Sequence, residues 1–180
     1  MHGVVFTELK SFVTETYSEQ AWRSILDSAD TSTGLYLPTS RYPDEEALAI
    51  VAAASEATDV PVPELLEAFG EYLAGSLLTM YGAQIDDDWS VFDLLERIET
   101  QIHTVLRMQD DEVEPPELAC ERTGEAEVVI DYRSDRELCA LGRGLVAGVG
   151  DAYGQSLSVL ERQCMHDGAG ACEMVVRPSS

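Results

Sequence analysis

Apolar residues recur at helical spacing through the first half of the chain. Phe6, Leu9, Phe12 and Val13 fall on one face and predict a helix over about the first 17 residues. Trp22, Ile25 and Leu26 mark a second, shorter one. Thr31 to Ser40 is rich in turn formers and predicts a loop. Pro43 followed by Asp44-Glu45-Glu46 is a helix start, because proline suits the first turn and acids suit the positive end of the helix dipole. Leu48, Ile50, Val51 and Ala52 supply its expected apolar face. Val60-Pro61-Val62-Pro63 separates this helix from a longer one, whose stripe runs through Leu65, Leu66, Phe69, Leu73, Leu77 and Met80 and ends near Gly82. After the acidic loop Asp86-Asp87-Asp88, Val91, Leu94, Leu95, Ile98, Ile102 and Val105 predict one helix from Ser90 to Arg107.

The period changes after Glu114-Pro115-Pro116. Leu118 to Glu121 and Glu125 to Tyr132 predict two strands about a Thr123-Gly124 turn. Leu138 to Tyr153 predicts a helix despite Gly142, Gly144, Gly148 and Gly150, which cost helix stability but permit close backbone approach. Ser156 to Gln163 and Cys172 to Val176 predict a second hairpin about His166-Asp167-Gly168-Ala169-Gly170. The expected class is α+β, with a helical N-terminal subdomain over residues 1–60 and a C-terminal subdomain over residues 61–180 in the order β-β-α-β-β.

Composition narrows the function classes. The chain has 180 residues, and 45% of them are hydrophobic, enough for a real core. The 11 Lys and Arg against 34 Asp and Glu leave a formal charge of −23. Such a chain repels polyanions, which argues against nucleic acid and anionic membranes as partners. No apolar run approaches the ~20 residues that span a bilayer. Met1 to Lys10 lacks a basic start followed by a sustained apolar segment, so the expectation is no signal peptide and a cytoplasmic protein. In a reducing compartment the four cysteines read as thiols or metal ligands rather than disulfides.

Candidate chemistry gathers in two places. Tyr132, Ser134 and Arg136 follow the β-branched run Ala126 to Asp131 at alternate positions. If the strand persists that far, they share one face. A phenol, a hydroxyl and a guanidinium in a row suit a ligand with two carboxylates. The same row also reads as a polar strand end with a solvated arginine. His103 lies at the edge of its helix's stripe, about 140° from Ile98 on a 3.6-residue turn. The neutral imidazole is the commonest metal ligand, although a lone histidine there also reads as surface or core. No nucleophile elbow and no phosphate loop with its lysine occurs, so no catalytic residue is assigned and the chain is read as a non-enzyme.

Taken together, His103 on a helix, the Pro115-Pro116 break, Tyr132-x-Ser134-x-Arg136, and Leu141-Gly142-Arg143-Gly144-Leu145 resemble the haem nitric oxide/oxygen-binding (H-NOX) domain. The opening Met1-His2-Gly3-Val4-Val5-Phe6 is also similar, and the likeness covers essentially the whole chain. The resemblance implies a four-stranded antiparallel sheet and haem b, with His103 as proximal iron ligand. Tyr132, Ser134 and Arg136 would hold the propionates, and Pro116 would press on the porphyrin. Leu9, Val5 and the Leu65–Met80 helix would line the distal side. Gly142, Gly144 and Gly148 would let their helix lie close to the haem. Members that bind O₂ stably place a tyrosine where this chain has Leu141, so the resemblance implies a sensor of NO that also takes CO and excludes O₂. Tyr72 is the residue that could reverse this, if its helix faces the pocket. Partners implied are a separate histidine kinase or cyclic-di-GMP enzyme.

Some members of the family bind zinc through three cysteines and a histidine. Cys139, Cys164 and Cys172 match the thiols, but Glu161 stands at the histidine position. Glu161 or His166 could supply the fourth ligand, and the alternative is three buried free thiols. Cys120 has no implied role beyond the core. Two other readings stand beside the sensor: a haem-free, vinyl-reductase-like small-molecule-binding module, and a zinc- or thiol-based redox-responsive regulator.

Overall fold

Pro43 does start a helix. In the computed structural model, which describes residues 1–31, 33–109 and 114–179, α3 (Asp44–Thr58) carries Asp44, Glu45 and Glu46 in its first turn. Ser32, inside the expected loop, lies outside the described residues. The buried face of α3 is Ala47, Ile50, Val51 and Ala54, the i, i+3, i+4, i+7 set. Leu48 and Ala52 stand on the neighbouring face and are exposed, contrary to the expected stripe. Before it, α1 (Gly3–Thr16) and α2 (Glu19–Ala29) follow the predicted periodicity, with Phe6, Leu9, Val13, Trp22 and Ile25 buried.

Helix α4 (Val62–Met80) begins after Pro61 and buries Leu65, Leu66, Phe69 and Leu73. Met80, at the end of the expected stripe, is 46% exposed. Along α4 runs α7 (Cys139–Ala152), and glycines let the two backbones close up. A Cβ on Gly148 would lie 2.7 Å from the Ala74 Cβ, and one on Gly144 would strike the Glu67 backbone. These two glycines therefore serve the contact with α4. Their implied role at the haem is reassigned to helix packing.

The element expected as one helix from Ser90 to Arg107 is three. A capping box of Ser90 and Asp93 opens α5 (Val91–Arg97). A π-helical segment follows over Ile98–His103, then α6 (Thr104–Gln109). Strands β1 (Glu117–Gly124), β2 (Glu127–Arg133), β3 (Leu157–Gln163) and β4 (Cys172–Pro178) form one antiparallel sheet in the order β1-β2-β4-β3. The first hairpin turns at Glu125 and Ala126, later than Thr123-Gly124, because β1 runs on through a register shift between Arg122 and Gly124. Strand β2 stops at Arg133, before Ser134 and Arg136.

Two apolar clusters result. One joins α1, α2 and α3 to α4 and the start of α7, and the other joins α5, the sheet and the rest of α7. Among the described residues, no helix is long and apolar enough to cross a membrane.

Candidate functional site

A cavity of about 330 Å³ opens between the clusters. Val5 of α1, Leu73 and Leu77 of α4, Ile98 and Ile102 of the π segment, Leu118 and Ile130 of the sheet, and Leu141 and Leu145 of α7 give it an apolar wall. Into this wall come His103, Tyr81, Cys120, Tyr132, Ser134 and Arg136.

The π segment explains how His103 arrives there. On a regular helix it would turn away from Ile98 to the stripe's edge. A π turn closes i to i+5, so residue 103 comes nearly over residue 98. The Thr104 N–H, bonded to the Glu99 carbonyl, closes such a turn. Burial pushes the His103 imidazole below its ordinary pKa, and the opposing hydrogen bond to Glu99, whose Oε2 lies 3.1 Å from Nδ1, does not restore it. The ring is therefore neutral near pH 7, the form a metal needs.

Tyr132, Ser134 and Arg136 all line the cavity, but a turn rather than a strand brings the last two there. Tyr132 lies opposite Leu118 and Cys172 in the ladder and is buried. Burial pushes its phenol up to about 12, against a hydrogen bond with Ser134. Beyond the strand, Ser134 Oγ accepts the Arg136 N–H at 3.3 Å, and the Ser134 carbonyl accepts the Glu137 N–H at 3.0 Å. Arg136 donates from Nε to Asp44 Oδ2 and from Nη1 to the Glu114 carbonyl, both at 2.5 Å.

Pro115 and Pro116 both line the cavity, as do Val5, Leu141 and Gly142. Leu9 does not; it is buried in the N-terminal cluster. Tyr72 is turned away, its ring on Phe12 and its hydroxyl donating to Glu15 Oε1 at 3.0 Å. Sequence reading missed Tyr81 and Cys120. Their signals were present: Tyr81 continues the i+4 row of Leu73 and Leu77, and Cys120 alternates with Leu118. Burial, with the negative charge of Glu99, pushes the Cys120 thiol up to about 12.

Haem needs an apolar slot, a neutral imidazole and donors for two carboxylates at one edge. The cavity has each of these: the wall, His103, and the Tyr132–Ser134–Arg136 set.

A second cluster lies at the start of α7. Cys139, Glu161, Cys164 and Cys172 bring their ligand atoms within 4.8 Å of one another. The Cys164 sulfur lies 3.6 Å from that of Cys139 and 3.7 Å from that of Cys172. Burial and the bond with Cys164 push the Cys139 thiol up to about 12. Glu161 gives Oε2 to Arg143 at 2.9 Å, and its Oε1 is buried without a hydrogen-bond partner among the described residues. His166 stands outside the cluster and binds the Glu137 carbonyl at 2.9 Å.

An apolar cavity with an imidazole and an arginine among its lining residues suits a cofactor that carries carboxylates. The Haem-NO-binding family matches residues 2–161. The chain belongs to that family, the haem-based gas-sensing H-NOX domains. The matched range ends before Cys164 and Cys172. Among solved structures, an H-NOX protein from S. oneidensis in the Fe(II)NO state superposes with a TM-score of 0.91 at 22% identity, covering 100% of both chains. The Fe(II) unliganded H-NOX protein from K. algicida matches at 0.89 and 21%, over 100% of this chain and 97% of that one. A point mutant of T. tengcongensis H-NOX matches at 0.86 and 20%, over 100% and 98%. No curated protein matches the chain.

Proposed function

We propose that this chain is a ferrous-haem sensor of nitric oxide that also takes CO, excludes O₂ and signals in the cytoplasm to a separate histidine kinase or cyclic-di-GMP enzyme. The observation that carries the reading is the placement of His103 in a largely apolar cavity whose wall includes Leu141. Bound haem supplies an iron at which a diatomic gas can sit. His103 would hold that iron from the π segment, Tyr132, Ser134 and Arg136 would hold the propionates, and Pro116 would meet the ring. Leu141 offers no hydrogen bond to O₂, and nitric oxide needs none. With haem bound, His103 would tie the π segment to the cavity, and loss of that tie would be a two-state change that a partner could read up to its differential affinity for the two states.

Absorption spectra of the reduced protein test this. NO and CO shift the Soret band, and air gives no stable oxygen spectrum. His103→Gly loses haem unless imidazole is added; normal haem content in that variant refutes the ligand assignment.

The thiol cluster supports a structural zinc as a second feature. With zinc–sulfur bonds of about 2.3 Å, a tetrahedral site sets sulfurs about 3.8 Å apart, close to the separations present. Glu161 Oε1, buried and without a hydrogen-bond partner among the described residues, is the fitting fourth ligand.

A further inference from the structure

Glu99 lies four residues before His103, and the π segment spans both. Its two oxygens are fully engaged. Oε2 faces His103 Nδ1 at 3.1 Å and accepts the Leu118 N–H at 3.2 Å. Oε1 accepts from Arg107 Nη1 at 2.6 Å, and Arg107 Nη2 donates to the Pro116 carbonyl at 3.3 Å. A side chain absent from the cavity lining is thus bonded to a candidate ligand and to the start of β1.

From this network we propose that Glu99 is a positioning residue for His103, fixing the imidazole tautomer and strengthening its hold on the iron. The inference rests on the haem reading. A carboxylate only accepts hydrogen bonds, so the nitrogen facing it carries the ring proton. That leaves the Nε2 lone pair for the metal. A negative charge behind Nδ1–H also raises the basicity of the ligating nitrogen, as outer-shell carboxylates do for metal-bound histidines. The Pro116 backbone also bonds the ring, but being neutral it cannot supply that charge. Arg107 tempers the effect by drawing electron density from the same carboxylate. The Leu118 N–H keeps the carboxylate in place. Glu99 thereby sets how readily NO displaces His103.

Resonance Raman of the ferrous, haem-loaded protein reads the iron–histidine stretch directly, before any NO is added. Glu99→Gln lowers that frequency, and Glu99→Ala lowers it further. Arg107→Leu does not lower it, because the freed carboxylate is the stronger acceptor. On NO addition, Glu99→Gln loses histidine coordination about 10-fold faster than the parent, the lower end for loss of an outer-shell partner. An unchanged frequency in both Glu99 variants overturns the proposal. So does an equal fall in Arg107→Leu, the mark of general loosening. In haem-free protein, ¹⁵N shifts of His103 show the Nδ1–H tautomer, and Glu99→Ala loses that preference. An Nε2–H tautomer in the parent overturns the proposal even if haem does not bind, whereas failure to take up haem with the Nδ1–H tautomer intact sinks only the sensor reading.

Discussion

Asp44 and Arg136 are 92 positions apart in the chain and share a 2.5 Å hydrogen bond, Arg136 Nε donating to Asp44 Oδ2. The other Asp44 oxygen stands 2.6 Å from the Met1 amino group. One carboxylate at the start of α3 thus ties the N-terminal helices to the turn after β2, the turn that carries the proposed propionate arginine. Burial raises the Asp44 pKa, but the amino group and Arg136 outweigh it and hold the carboxyl below its ordinary value.

Removing that carboxylate loosens this tie. Asp44→Ala is expected to lose about 1.5 kcal/mol in urea unfolding, the low end for a bond to a charged group, because both side chains still meet solvent. Since the folded pKa is depressed, the contribution is present above the unfolded value and fades as pH falls through the folded one. An unchanged midpoint at neutral pH refutes the link. Arg136→Ala, measured by haem transfer to apomyoglobin, is expected to release haem faster.

Gas selection turns on the hydroxyls that can reach the cavity. Leu141→Tyr is expected to create a measurable oxygen complex, and Tyr72→Phe to change nothing, because the Tyr72 hydroxyl is engaged by Glu15. Tyr81 is the control. A stable oxygen spectrum in the parent that vanishes in Tyr81→Phe refutes the exclusion of O₂ and assigns the donor to Tyr81.

Zinc content separates the thiol readings. Elemental analysis is expected to give about one zinc per chain, the occupancy of a closed four-ligand site. Glu161→Ala lowers retention against a chelator and His166→Ala does not, because His166 is engaged by Glu137. Metal-free protein with every thiol titratable supports free cysteines instead.

The helix that leads into His103 has an acid-sensitive start. Hydrogen bonds from the Ser90 side chain and backbone, with Arg122, hold Asp93 down to about 2. Its stabilising effect is therefore full above its unfolded value, near 3.8, and is lost as pH falls towards about 2. Asp93→Asn is expected to be destabilised against the parent at pH 7, with the gap closing on titration to pH 2. Ser90→Ala, which removes the cap, costs about 1 kcal/mol in chemical denaturation. A gap independent of pH refutes the role of the charge.

The class of the fold was written in local patterns. Helical periodicity marks α1, α2 and α4, β-branched alternation marks β2, and Pro43 with three acids marks the start of α3, because each signal concerns residues within a turn or two of one another. The site was legible only as fragments. His103 read as marginal because a 3.6-residue turn was assumed, and only the folded chain places a π segment there. Ser134 and Arg136 reach the cavity through a turn held by Asp44 and Glu114, partners far away in sequence. Gly144 and Gly148 signalled close approach, but the sequence could not say to what; α4 is the answer. Glu161, bonded by Arg143, joins the three cysteines and His166 does not, a meeting that leaves no trace in spacing. Periodicity reports what one element does with its own neighbours. Which elements meet, and which polar groups are left to face a cavity, is decided by burial over the whole chain.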